Sequence, residues 1–201
     1  MKLLIALLVD IATAATLFAV EPQQLPLVRA GGGYTFLASP SLNDIADLPG
    51  SSVTRGGGSF GAQLLLGSLF QGVFFYGVEA SYLRMYDYSV TGASTVQFNT
   101  VPLLALAHIA LKAEDVGFIP FLQAGAGVGF TTVTTAVTNK PKATSTQSDF
   151  ALMAGAGVAR KIAPNFSLDF LVRYYHLFTD STATGGVNLS INASFRLGHL
   201  Y

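Results

Sequence analysis

The pentapeptide Ala-Gly-Ala-Gly-Val occurs twice, at residues 124–128 and again at 154–158. Glycine-rich runs can cradle phosphates on their backbone N–H groups, so nucleotide binding is the first chemistry to test. The dinucleotide fingerprint needs G-x-G-x-x-G opening a helix. Here Gly125, Gly127 and Gly129 are spaced by two, and position 130 is Phe. In the second copy Gly155 and Gly157 are followed by Val158, Ala159 and Arg160. The segment after the first copy, TTVTTAVTN, is rich in β-branched residues and forms helix poorly. These features argue against a nucleotide loop. A spacing of two is the side-chain period of a strand, so the glycines line one face of two strands.

Nucleophilic catalysis is the second chemistry to test. It needs a nucleophile, a base and an orienting acid within reach of one another. His108 sits in LAHIALK with no serine within four residues; His176 precedes Asp180 and Ser181; His199 is near the C-terminus. No such spacing emerges, so the chain is read as non-enzymatic, with no catalytic, metal or cofactor site. The third pattern is a set of charges. Arg29, Glu79, His108, Lys112, Asp169, Arg173 and Arg196 stand among apolar residues, each on the polar parity of its segment.

The elements that would position these residues alternate by twos from residue 27 onward. Leu122, Ala124, Ala126, Val128 and Phe130 oppose Gln123, Gly125, Gly127 and Gly129. Leu152, Ala154, Ala156 and Val158 oppose Gly155 and Gly157. Leu168, Phe170, Val172 and Tyr174 oppose Asp169, Arg173 and Tyr175, and Val187 to Leu197 alternates with Asn188, Ser190, Asn192, Ser194 and Arg196. Four earlier segments behave alike, with Leu65, Leu104 and Leu106 as exceptions. Short connectors are expected around 67–73, 112–117 and 161–166, and long ones around 39–57, 87–98, 131–149 and 178–186. Aromatics near strand ends, Tyr34, Phe36, Phe74, Tyr82, Tyr86, Phe98, Phe118, Phe130, Phe150, Phe166 and Tyr174, are expected to form two interfacial girdles.

Composition says which solvent the apolar faces meet. Charged residues are 11% and mean hydropathy is +0.50, against roughly 25% charged in ordinary soluble domains. Past the N-terminus no apolar run reaches the ~20 residues of a spanning helix. The remaining way to satisfy a backbone in lipid is a closed β-barrel. A soluble lipocalin-like barrel would invert the faces, but segments of ~10 residues or more suit a tilted membrane span. The expected fold is all-β, an eight-stranded antiparallel up-and-down transmembrane barrel. Its short turns and both termini would be periplasmic. Net charge is zero, which gives no reason to expect nucleic acid, and there are no cysteines for disulfides or cysteine-ligated metal.

Residues 1–19 read as a signal peptide: Lys2, an apolar run from Leu3, then small residues with cleavage after Ala14 or Ala19. Residues 20–26 would be a leader and 27–201 the barrel. In PFLQAGAGVGF, FALMAGAGVARKIAPNFSLDFLVRYYHL and VNLSINASFRL the chain resembles the last four strands of the outer-membrane protein beta-barrel superfamily, the small OmpA-like barrels. The match covers roughly residues 98–197 well and 27–97 by pattern. The resemblance implies an eight-stranded membrane barrel with a packed polar interior. It also implies a closing signal for the barrel assembly machinery, similar here to Phe195-Arg196-Leu197. The added GHLY leaves open whether Leu197 or Tyr201 is the residue read.

The expected function is that of an integral outer-membrane barrel with a structural or surface-exposed role in adhesion or host contact. A small-solute pore and a lipid-A-modifying barrel enzyme are the alternatives. The lumen charges should pair, because an isolated buried charge is costly. The expected partners are outer-membrane lipid and lipopolysaccharide, the assembly machinery and an extracellular ligand at the loops; the chain is expected to be a monomer. Arg84 and Arg160 are expected to snorkel towards head groups.

Overall fold

The computed structural model describes residues 26–38, 50–69, 73–111, 117–179 and 183–197. The proposed signal peptide and leader, Lys112, His199 and Tyr201 lie outside them. Nine strands form: β1 (Leu27–Leu37), β2 (Ser51–Thr54), β3 (Gly56–Leu69), β4 (Phe74–Val90), β5 (Ser94–Ala110), β6 (Phe118–Val137), β7 (Ala143–Ala163), β8 (Phe166–Phe178) and β9 (Ala183–Arg196). All except β2 belong to one closed antiparallel ring. Each pairs with its neighbour in the chain, and β1 pairs with β9 to complete the circle. Closure leaves the ring without a free edge, which is what lets strands rather than helices sit in lipid. No described helix is long and apolar enough to cross a membrane.

The alternation read from the sequence maps onto inside and outside. Leu122, Val128, Phe150, Leu152, Val158, Phe170, Val172 and Ile191 are exposed on the outer wall, and Arg29, Gln63, Glu79, Asp169, Arg173 and Asn188 are buried inside. A soluble barrel would show the reverse. Aromatics gather at both ends of the outer wall. Phe150 lies 5.7 Å from Phe178 at the loop end. At the end where β1 begins and β9 finishes, Phe166 lies 4.8 Å from Phe195, and Arg160 stacks its guanidinium 5.3 Å from the Phe118 ring.

Two girdle assignments need correction. Tyr86 is buried in the lumen, and Phe98 packs against the lumen cluster rather than facing lipid. The register between β4 and β5 shifts between Arg84 and Tyr86, so the extra residue Met85 reverses the parity of the residues after it. Phe98 lies across from Tyr86 and turns inward with it. Arg84 keeps its outward parity, but it pairs with Asp87 rather than standing free.

The long connectors also differ from expectation. Most of 87–98 and 131–149 is strand, with turns only at Thr91–Ala93 and Thr138–Lys140. Gly92 and Asn139 take the left-handed conformation there, with φ of 74° and 63°. The β-branched run TTVTTAV keeps β6 extended past the girdle. Thr131–Thr135 of β6 pairs with Ala143–Gln147 of β7 on one side and with β5 on the other. Strand β2, unforeseen from sequence, adds to β4 through Ser51–Thr54. A sheet of β2, β4, β5, β6 and β7 therefore projects beyond the apolar wall. Among the described residues, 143–149 of β7 form one of its edges, since pairing with β8 begins only at Phe150.

Candidate functional site in the lumen

The repeated pentapeptides meet each other inside the barrel, offset in register. Phe121 pairs with Gly157, Gln123 with Gly155, Gly125 with Met153 and Gly127 with Ala151. They do not form one bare stripe, as the repeat alone suggests. Gly157, Gly155 and Gly129 instead each leave room for a larger side chain. A Cβ on Gly157 would strike the Phe121 ring, one on Gly155 would lie 2.8 Å from Arg173 Cγ, and one on Gly129 would lie 2.5 Å from Leu177 Cδ2. These neighbours come from adjacent strands or the next strand but one, not from the far wall.

The charges converge in one connected network. Arg29 donates from Nε to Asp169 Oδ2 at 2.6 Å and from Nη1 to Gln63 Oε1 at 2.9 Å. Gln63 Nε2 donates to Glu79 Oε2 at 2.7 Å. Glu79 Oε1 accepts from Arg173 Nη1 at 2.8 Å, Tyr175 OH at 2.6 Å and Ser81 Oγ at 2.7 Å. Arg173 Nη2 continues to Asn188 Oδ1 at 2.9 Å, and Asn188 Nδ2 donates to Ser59 Oγ and Thr35 Oγ1. Gln123 exchanges hydrogen bonds with Gln63 and reaches His108 Nδ1 at 3.1 Å. Gln63 thus sits between two ion pairs, Arg29–Asp169 and Arg173–Glu79, and ties them together.

Glu79 and Arg29 are each only 3% exposed. Charges removed this far from water hold their ionised forms only with partners, and here each carboxylate accepts several donors. The Arg173 Nε atom is the exception, buried without a hydrogen-bond partner. The rings also grip the cations. Arg29 stacks 4.8 Å from the Phe121 centroid and Arg173 lies 5.4 Å from that of Tyr175.

Of the residues singled out from sequence, Arg29, Glu79, His108, Asp169 and Arg173 meet in this network. Arg196 has the lumen parity but is exposed at the mouth. Phe195 faces outward and Leu197 is exposed just past the end of β9. Sequence reasoning passed over Tyr175 and Ser81 as members of the network; their parity with Arg173 and Glu79 was the available signal. It also took the lumen as polar throughout. Leu65, Leu83, Met85, Leu104, Leu106, Met153 and Leu177 are buried there as one apolar cluster, so the three leucine exceptions are packing residues of the interior.

His108 packs between Phe75 and Phe121, with ring centroids 5.5 and 4.7 Å away. Its one polar partner is the Gln123 amide. This is the setting of a packed, hydrogen-bonded core side chain, with no serine oxygen or carboxylate bonded to it among the described residues. Among the described residues no group of three or more histidines, cysteines, aspartates or glutamates could hold a metal.

A closed antiparallel ring with an apolar outer wall and two aromatic ends is the layout of a membrane-spanning barrel. The sequence pattern of the outer membrane protein beta-barrel domain matches residues 4–196. The chain belongs to that family. Among solved structures this outer-membrane barrel is similar to the Neisserial surface protein A, with a TM-score of 0.59 at 16% identity, covering 86% of this chain and 97% of that one. It is similar to a major outer membrane protein of Thermus thermophilus, with a TM-score of 0.59 at 12% identity over 86% and 99% of the two chains. Ail, the attachment invasion locus protein of Yersinia pestis, gives 0.52 at 16% identity over 86% and 99%. At these identities the likeness is one of fold. No curated protein matches the chain in sequence.

Proposed function

We propose that this outer-membrane barrel is a surface-exposed contact protein, with its lumen closed by the ion-pair network and its projecting sheet presented outside the cell. The observation that carries this reading is the sheet itself. Strands β6 and β7 run to 20 and 21 residues, where β8 has 13 and β1 has 11. The surplus length has left the apolar wall behind and is rich in threonine and serine. A protein whose only task was to fill the membrane would need no such extension. Among the described residues nothing pairs with 143–149 on the β8 side, which makes this stretch the kind of sheet edge that accepts an extended partner chain. Two fold relatives are named as a surface protein and as an attachment protein, which runs in the same direction. In this reading the barrel is a monomer with both termini periplasmic, delivered through the assembly machinery by Phe195 and Leu197 or by Tyr201. The outer wall meets lipid and lipopolysaccharide.

The test is to replace residues 134–147 by a short turn and compare cells displaying each form. The shortened protein should still migrate as a folded barrel on unboiled gels, since β6 up to Val133 and β7 from Ser148 keep their pairing in the ring. Adherence of the cells to host-cell monolayers should drop to the level of cells without the protein. Unchanged adherence would remove the role assigned to the projecting sheet.

A further inference from the structure

The Arg29–Asp169 pair sits in the lumen towards the end where β1 begins and β9 finishes. Between that pair and the rim lies a cavity of about 220 Å³. Arg29, His108, Phe75 and Phe121 line it deep in the lumen, and Lys161 and Arg196 line it near the rim. Four lumen-facing side chains on adjacent strands form one cross-strand row. Lys161 of β7 pairs with Ser167 of β8, Ser167 with Ser194 of β9, and Ser194 with Arg29 of β1. Arg196 stands two residues from Ser194 towards the rim, opposite Leu27.

Among the described residues the charge of this cavity is unbalanced. Asp169 neutralises Arg29 at 2.6 Å and takes up the hydroxyls of Ser167 and Ser194. Lys161 and Arg196 have no such partner: no described carboxylate pairs with either, and none lines the cavity. Deeper in the lumen both described arginines are matched by carboxylates, so a surplus of two cations at one mouth differs from the rest of the interior. They flank a small space whose lining is part polar and part aromatic.

We propose that this mouth is a binding site for a phosphate-type oxyanion, held by Lys161 and Arg196. Two cations at one small mouth suit a doubly charged, tetrahedral group, with the Arg196 fork able to hold two of its oxygens. The volume falls below the ~300 Å³ of ordinary ligand pockets. It therefore admits a single headgroup or a small phosphorylated solute and nothing larger. Phe75 and Phe121 give the non-ionic part of such a molecule an apolar wall. The anion is either free in the aqueous phase or the headgroup of a lipid beside the rim.

The full-length protein, labelled with ¹⁵N and placed in phosphatidylcholine nanodiscs, is titrated with inorganic phosphate at constant ionic strength. The amide signals of Ser167 and Ser194 should shift saturably. A second arm replaces part of the lipid by phosphatidic acid in phosphate-free buffer. Shifts in the first arm identify a soluble anion, and shifts in the second alone identify a headgroup. In Lys161→Gln/Arg196→Gln the apparent affinity should fall at least about tenfold, the loss expected when charge-assisted hydrogen bonds are removed. Lys140→Gln/Lys142→Gln removes the same charge from the other end and should bind as the parent does. Both pairs are exposed, so folding is preserved. Absence of saturable shifts in both arms, equal binding by the mouth variant, or equal loss in the tip variant would overturn the proposal.

Discussion

Replacing Glu79 by glutamine destabilises the barrel by about 3–5 kcal/mol, the range for breaking a buried ion pair by removing one member. Glu79 receives Arg173, Tyr175 and Ser81 on one oxygen and Gln63 on the other. Glutamine offers one acceptor where two stood, and its amide nitrogen turns N–H groups towards donors. Arg173 would then remain buried without a countercharge, with an Nε that already lacks a partner. Equilibrium unfolding in detergent or lipid vesicles, read by the folded and unfolded gel bands, measures the change. Lys140→Gln, at the exposed tip, is the control and should leave the midpoint in place. In Glu79→Gln/Arg173→Met the stranded charge is gone, and a large part of the loss should return. A Glu79→Gln midpoint equal to that of the control would mean that water reaches the pair and screens it.

The second large effect comes from the outer and inner parities of adjacent residues. Gly127 faces the lumen, and a Cβ there would run into the Leu103 carbonyl and lie 3.0 Å from Leu104 Cα. The obstacle is main chain, which cannot rotate away. Gly127→Leu should therefore cost at least the roughly 1–3 kcal/mol of ordinary overpacking. Ala126 faces outward into a shallow alanine-lined groove with Ala105, Ala107, Ala124 and Ala154. A leucine there meets only acyl chains and open space, so Ala126→Leu should be nearly neutral. Urea midpoints of the two variants in lipid vesicles separate the cases. Damage from Ala126→Leu with tolerance of Gly127→Leu would invert the faces.

Strand alternation made the barrel legible because lipid is an unforgiving solvent for polar groups. From Leu168 to Arg196 nearly every second residue declares its side, and the structure follows. That Glu79 and Asp169 would each meet a lumen cation was legible for the same reason, since buried charges must meet opposite ones; which cation each takes came from the structure. Less visible was anything decided by packing within the lumen. Leu104 and Leu106 look like errors in a polar face, yet they face the small Gly127 and Gly125 across the β5–β6 ladder. The offset of the two pentapeptides is likewise a property of register, which a single strand does not carry. Tyr86 was misplaced because a one-residue bulge at Met85 leaves no mark in the alternation until the partner strand is known. The stretch 131–149 read as loop because its residues are polar, although threonine and valine favour strand with or without a membrane around them.

Planar-bilayer recording of the wild-type protein tests the central claim most directly, that paired charges and packed leucines close the lumen while function resides in the projecting sheet. The purified barrel, inserted and shown to be folded by its heat-dependent gel mobility, should give a silent baseline with no discrete conductance steps. Stable, reproducible unitary steps would contradict it and make the lumen a solute path.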